Sequence, residues 1–366
     1  MSDPRPALTR FQQHFAERIV PLWQGPGWNA DMALPYEALD TQHRPLPVPV
    51  PVQRYRAMAC ARQLYLFSNR IEQPGAAERA AALFRSLQKH FHDAEHGGWF
   101  YSIDSQGRPL DRRKDLYTHA FIVFACAHYL GKVGEGLVEA TLNGALEVIH
   151  EQFARDDGLY EASLGEDWSD LGSGPLQNPQ MHLAEAFLQV LAVREDDDVR
   201  QSLLQLCEAL QAQFVEPAHG LMLEKPRGAV DNWFEPGHQF EWFYLLDTSG
   251  LLRGTALHAS IERAFDFAEQ CGVKDAAVLA TLDVDGKVID ATQRIWAQAE
   301  YLRALALRPG SEARLLEQLT ALESRFLHEG GWHECRDGEG AVSRHDMPST
   351  TPYHLATCLE GLQRLT

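Results

Sequence analysis

The feature that most constrains this chain is a period. A phenylalanine followed within about a dozen residues by a glycine and an aromatic or apolar residue recurs along it. Phe91 leads to HGGWF, Phe153 to DDGLYEA, Phe214 to AHGLMLE, Phe267 to CGVKDAA and Phe326 to EGGWHE, at spacings of 62, 61, 53 and 59 residues. Phe15, leading to QGPGW, is a sixth and more divergent copy, separated from Phe91 by a segment holding the proline-rich run 45–51 (PLPVPVP). Alternating prolines cannot be helical, so that run reads as an extended strand or loop.

Each unit reads the same way. An amphipathic helix ends near the phenylalanine, a glycine-containing connection follows with strand-like pieces such as WFYSID, and a more apolar helix closes the unit. The second helices are expected at 53–70, 116–131, 178–195, 237–252, 291–308 and 351–365. Six hairpins with the apolar helix always second predict two concentric rings. The expected fold is all-α, an (α/α)6 barrel forming a single domain over 1–366, with short β pieces in the connections at the active-site end; an open solenoid is the rival. A closed barrel gathers the starts of all six inner helices at one end, making a funnel.

The polar residues keep this register. Near the inner-helix starts stand Arg62, His119, the pair His182/Glu185, the pair His238/Glu241, Gln298 with Glu300, and His354; the landmarks are 57, 63, 56, 60 and 56 residues apart. They are expected to converge at one mouth. The richest start is 235–242 (EPGHQFEW), where Pro236 and Gly237 read as the turn leading into a helix. The i,i+3 spacing of His238 and Glu241 lets the carboxylate orient the imidazole, and the helix N-terminus disfavours imidazolium, which predicts a neutral ring able to act as a general base. The stretch NPQMHLAEAF repeats the arrangement, with Asn178 as N-cap, Pro179 as first helical residue, and His182 and Glu185 at the same spacing.

Each feature has a bland counterpart. The His-x-x-Glu pairs could be satisfied structural pairs. His119 fits cavity lining and packing equally. Trp99, Trp233, Trp242, Trp296 and Trp332 sit beside the connections or inner-helix starts, where an indole covers a sugar ring or fills the core. Glu147-x-x-His150 and Glu235-x-x-His238 superficially match paired metal-binding Glu-x-x-His motifs, but Pro236-Gly237 interrupts the second and further bridging glutamates are not evident. The acidic run 195–198 reads as a solvated loop, and neither a P-loop nor a GxGxxG stretch occurs.

Charge narrows the partners. With 33 basic and 51 acidic residues the 366-residue chain carries −18, which repels nucleic acid and anionic membranes and suits a small neutral substrate. No apolar run reaches membrane-span length and the N-terminus lacks a signal-peptide layout, so a cytoplasmic location is expected. The six cysteines are widely spaced and read as buried, reduced thiols rather than zinc ligands.

Together the block ARQLYLF around Arg62, NPQMHLAEA, EPGHQFEW, RIWAQAE (294–300) and Pro-Tyr-His at 352–354 resemble the N-acylglucosamine 2-epimerase superfamily over nearly the whole chain. That superfamily includes cellobiose 2-epimerases and the mannose and sulfoquinovose isomerases. The resemblance implies an (α/α)6 barrel working without a metal or other cofactor. It also implies that His354 and His238 are acid/base catalysts, that Arg62 contacts substrate oxygens, and that His182 lies in the site. Epimerases of the family typically lead into the final Pro-Tyr-His with a Trp-Lys-Gly-type segment, whereas this chain has MPSTT at 347–351, which resembles the mannose isomerase branch.

The chemistry suits the residues. Interconverting mannose and fructose needs ring opening, removal of the C2 proton and its return to C1 through an enediol. The candidate catalytic residues are His354 for the carbon proton, His238 for the oxygen-bound protons with Glu241 orienting it, and Arg62 for the enediolate. The candidate substrate-binding residues are His182, Asn178, Glu185, His119, Trp242, Trp296, Gln298 and Glu300. The expectation is a monomer or homodimer acting on a neutral sugar, phosphorylated sugars fitting less well because Arg62 is the only evident cation at the mouth. The alternatives are a sugar 2-epimerase, an (α/α)6 glycoside hydrolase using two of Glu185, Glu241 and Glu300, and a non-catalytic sugar-binding protein.

Overall fold

The computed structural model describes residues 3–46 and 54–365. Pro45–Leu46 is a short strand; the rest of the proline-rich run, 47–51, and residue 53 of the first expected inner helix lie outside the described residues. The helices are α1 (Arg5–His14), α2 (Val20–Gln24), α3 (Ala57–Ser68), α4 (Ala76–Ser86), α5 (Leu116–Val133), α6 (Gly136–Val148) and α7 (Gln177–Val193). They continue with α8 (Asp197–Gln213), α9 (Pro236–Thr248), α10 (Ala256–Gly272), α11 (Ile295–Leu305), α12 (Glu312–Phe326) and α13 (Thr351–Leu362). Every expected inner helix is present with its ends shifted by a few residues.

The chain divides into two compact units, one of residues 24–38 and 45–210, the other of 1–23, 39–44 and 211–366. In the first, α3, α5 and α7 pack side by side, with α4 against α3 and α6 against α5. In the second, α11 lies between α9 and α13, with α10 against α9, α12 against α11 and α1 against α12. Burial separates the two kinds of helix as their apolar content predicts. All twelve residues of α3 are buried, against five of the eleven in α4.

The period has a backbone cause. In five of the six copies one hydrogen bond closes the glycine turn after the outer helix: Phe100 N–H to Phe91 C=O at 2.8 Å, Glu161 to Phe153 at 2.8 Å, Leu223 to Phe214 at 3.2 Å, Leu279 to Gly272 at 2.9 Å and His333 to Phe326 at 2.8 Å. Four of these acceptors are the landmark phenylalanines. In the fifth copy Gly272 holds the position, not Phe267. A side chain at Gly272 would run into Pro236 at the start of α9, so the bulk that phenylalanine supplies elsewhere comes there from proline.

A second device ties each inner helix to its connection. The fourth residues of α7, α9 and α11, namely Gln180, Gln239 and Gln298, each accept from a backbone N–H and donate to the C=O of the same residue, Tyr160, Met222 and Val278 respectively, at 2.7–3.2 Å. A buried amide matches an exposed peptide edge donor for acceptor.

Local starts differ from expectation in detail. Helix α7 begins at Gln177, so Asn178 is its second residue and not the N-cap, and Leu176 is the preceding extended residue. Pro236 and Gly237 are the first residues of α9, not a turn before it, because proline's fixed φ suits the first helical position. The acidic run is a loop only at 195–196, since α8 starts at Asp197, with the Asp196 carboxylate accepting from Val199 N–H. Five cysteines are buried, Cys271 is half-buried, and all six are free. No helix among the described residues is long and apolar enough to cross a membrane.

Candidate active site

The site is clearest in the unit that contains α9, α11 and α13. His238, third in α9, and His354, in the first turn of α13, both lie beside the Trp296 indole, with ring centroids 5.2 and 5.6 Å from it. Gly237 makes that approach possible, since a Cβ there would stand 2.7 Å from the Trp296 ring. Each imidazole is fixed by a buried carboxylate. His238 Nδ1–H donates to Glu224 Oε1 at 2.7 Å, and His354 Nδ1–H donates to Glu300 Oε1 at 2.7 Å. Engaging Nδ1 sets the tautomer and makes Nε2 the proton-transfer edge of both rings.

The two dyads are electrically unlike. Glu300 also pairs with Arg303, whose Nη2 reaches Glu241 Oε1 at 3.3 Å, so one guanidinium balances two fully buried carboxylates. Around His238, Glu224, Glu235 and the imidazole bring ligand atoms within 4.8 Å of one another, and the Arg294 charge acts on Glu235 without an ion pair among the described residues. Burial opposes the charge on His238, but Glu224 and then Glu235 outweigh it and raise the imidazole to about 10. Burial likewise raises the Glu235 carboxyl, with Glu224 adding to the effect and His238 opposing it.

Two expectations are thereby corrected. His238 is not neutral at pH 7, because neighbouring carboxylates outweigh the helix N-terminus. Glu241 does not hydrogen-bond His238; its charge is taken by Arg303, and Glu224 holds the ring from fourteen residues upstream. Glu241, Glu300 and His354 also form a set with ligand atoms within 4.8 Å, but Arg303 already occupies both of its carboxylates.

In the other unit, the expected His182/Glu185 pair forms as read, with His182 Nδ1–H donating to Glu185 Oε2 at 2.9 Å, both side chains buried. Arg62 lies 4.2 Å above the Phe121 ring and donates to Tyr117 Oη at 2.7 Å. Tyr117 in turn meets His182 edge-on, centroids 4.9 Å apart. Asn178 is half-buried, and its Oδ1 has no protein partner.

Other expected substrate contacts are structural. His119 takes the place in α5 that glutamine holds in the later repeats: Nε2 accepts from Trp99 N–H at 3.1 Å and Nδ1–H donates to Asp115 C=O at 2.8 Å. Burial lowers it to about 4, so it is a neutral clamp with both nitrogens engaged. Gln298 is the corresponding clamp of α11 and is fully buried. Trp242 is fully buried core, as are Trp99 and Trp332, leaving Trp233 and Trp296 as the half-exposed members of the expected set. Glu300 acts through His354 and Arg303.

Glu224, Arg303 and Tyr117 were not foreseen. Glu224 had a signal: it closes the fragment AHGLMLE as Glu334 closes GGWHE, and Glu334 too is a buried acceptor, from Trp332 Nε1 and Thr351 Oγ1. Arg303 sits among apolar residues of α11, where nothing in the sequence separates a buried arginine from a surface one.

The profile of the N-acylglucosamine 2-epimerase (GlcNAc 2-epimerase) family matches residues 44–358. The chain is 28% identical to a mannose-6-phosphate isomerase of Rhizobium meliloti (strain 1021), over 95% of this chain and 94% of that one. It is 27% identical to a D-mannose isomerase of Pseudomonas cannabina pv. alisalensis, over 64% of this chain and 62% of that one. The solved cellobiose 2-epimerase of Bacillus thermoamylovorans B4167 superposes with a TM-score of 0.87 at 18% identity, over 98% of this chain and 99% of that one. This likeness gives the fold as all-α, of the (α/α)6 barrel class. The chain therefore belongs to the N-acylglucosamine 2-epimerase family, a family of sugar isomerases and epimerases.

Proposed function

We propose that the protein interconverts D-mannose, or a close aldose, with D-fructose through ring opening and an enediol, by a route that uses no metal. The observation that carries this reading is the pair of imidazoles beside Trp296, each pinned through Nδ1 to a different buried carboxylate. Their unlike surroundings assign them unlike tasks. His238, beside Glu224 and Glu235, holds its proton at neutral pH and donates it to a sugar oxygen. His354, whose carboxylate is shared with Arg303, is the ring that takes a proton from carbon.

Starting from open-chain mannose, His354 Nε2 removes the C2 proton while His238 protonates the O1 carbonyl, giving the 1,2-enediol. His354 then delivers the proton to C1 as His238 recovers one from the O2 hydroxyl, leaving the 2-ketose. Arg62 is the cation this chemistry calls for at the developing oxyanion, in keeping with the family resemblance. The relatives named D-mannose isomerase and mannose-6-phosphate isomerase support the aldose–ketose outcome. The second reading, 2-epimerisation, shares the first half-reaction and differs in returning the proton to the other face of C2; the family name supports it. A hydrolase is disfavoured because Arg303 ties Glu241 and Glu300 together, leaving neither as a separate acid and nucleophile.

The test is chelator-treated protein with D-mannose, and separately mannose 6-phosphate, in heavy water, followed by NMR. Fructose or its phosphate supports the proposal; glucose as the main product moves the reading to epimerase; no turnover of either sugar overturns both. His354→Ala should keep the helical circular-dichroism spectrum and lose about a hundredfold or more in kcat. Near-normal turnover would remove His354 from the mechanism.

A further inference from the structure

Away from the histidines, the connections of the fifth and sixth repeats line a half-open cavity of about 660 Å³ within the same unit. That is the size of a small-ligand pocket, and none of His238, Trp296, Glu300 or His354 lines it. Its charge runs against that of the chain. Lys274, Arg325 and Arg336 face it, against Asp275 and Glu339, which are both exposed. None of the three cations is ion-paired among the described residues.

The arrangement is built rather than incidental. Arg336 donates from Nε to Arg325 C=O at 2.7 Å, from Nη2 to the same carbonyl and from Nη1 to Gly340 C=O. Neutral carbonyls hold the guanidinium in place without cancelling its charge. Burial, and next the Arg325 charge, lower its proton affinity, with Asp337 offsetting part of this. Two cations side by side in a recess destabilise each other until an anion joins them.

A second observation concerns Gln293. It lines the cavity at 6% exposure, and its Nε2 donates to Asp337 C=O at 3.2 Å, which fixes the amide's orientation. Its Oε1 is buried with no partner among the described residues. A buried acceptor in a cavity wall calls for a donor that the protein does not provide.

We propose that this cavity binds a small hydroxylated anion, with Lys274, Arg325 and Arg336 receiving a phosphate or carboxylate group and Gln293 Oε1 accepting from a ligand hydroxyl. The site is independent of the isomerase reading, since it shares no residue with the histidine centre.

The test is titration calorimetry on the full-length protein with glycerol 3-phosphate, inorganic phosphate and glycerol as probes. Glycerol 3-phosphate should bind at one site and glycerol alone should not. Lys274→Ala and Arg325→Ala should each weaken it about tenfold or more, the loss of one charge-assisted contact. Gln293→Leu should weaken glycerol 3-phosphate but not inorganic phosphate, and His354→Ala should change neither. Both cationic positions are reachable from solvent, so circular dichroism should show these variants folded. Absence of heat with either anion, undiminished affinity in both cation variants, or loss of binding in His354→Ala would overturn the proposal. The last result would place the probe in the histidine site.

Discussion

Replacing Glu224 with glutamine should convert His238 from a ring charged through most of the working range into one that loses its proton much earlier. The imidazole stands at about 10 against an ordinary value of 6.5, a difference of roughly 5 kcal/mol at 1.36 kcal/mol per unit. Burial works against that charge, so the carboxylates supply more than the net figure, and Glu224 supplies the largest part. Glutamine keeps the shape and can still accept from Nδ1–H, but it brings no charge. Glu235 remains, so the ring should titrate about two units lower rather than return to an isolated value. The assay is kcat/KM for mannose isomerisation from pH 5.5 to 10.5, beside an NMR titration of the His238 ring. The alkaline limb should move down with the ring, giving a loss of about tenfold near pH 9 and little change near pH 6. A uniform loss at all pH values, or an unmoved limb, would refute the assignment of His238 as the proton donor. The same shift has a stability consequence. A folded pKa above the unfolded one contributes stability that is full below about 6.5 and is lost as pH rises through about 10. Glu224→Gln should flatten denaturant midpoints across that window.

Further outcomes follow from the packing. Gln239→Leu strands the backbone N–H and C=O of Met222 and should cost about 2–4 kcal/mol in urea unfolding, with Gln180→Leu similar through Tyr160. Arg303→Met leaves Glu241 and Glu300 as buried charges without their cation and should cost about 3–5 kcal/mol near pH 8, less at pH 5 where a carboxyl can take up a proton. Equal destabilisation at both pH values would show that the arginine matters by its volume and not by its charge. Gly272→Ala forces a methyl group against Pro236 and should lower stability by about 1–3 kcal/mol, whereas alanine at the exposed Gly250, which has open space around its Cβ, should be nearly neutral.

What the sequence by itself determined was the repeat and the burial of its helices. The alternation of half-buried and fully buried helices follows from apolar periodicity, and the glycine turns follow from the need to reverse the chain. The His182–Glu185 pair was legible because i,i+3 neighbours meet whatever the rest of the fold does. The same reasoning failed at His238 and Glu241, which have the same spacing, and at Phe267, where a proline from the preceding inner helix removes the room for a side chain at Gly272. Only the tertiary structure decided which charges face one another. Glu224 reaches His238 across fourteen residues, Glu300 reaches His354 across fifty-four, and Arg303 draws Glu241 away from the imidazole it was expected to orient. Coulomb energy in a buried site depends on distance and dielectric, and neither is written in sequence spacing. The repeat therefore places histidines at the starts of α9 and α13, while the packing determines which buried carboxylate holds each ring.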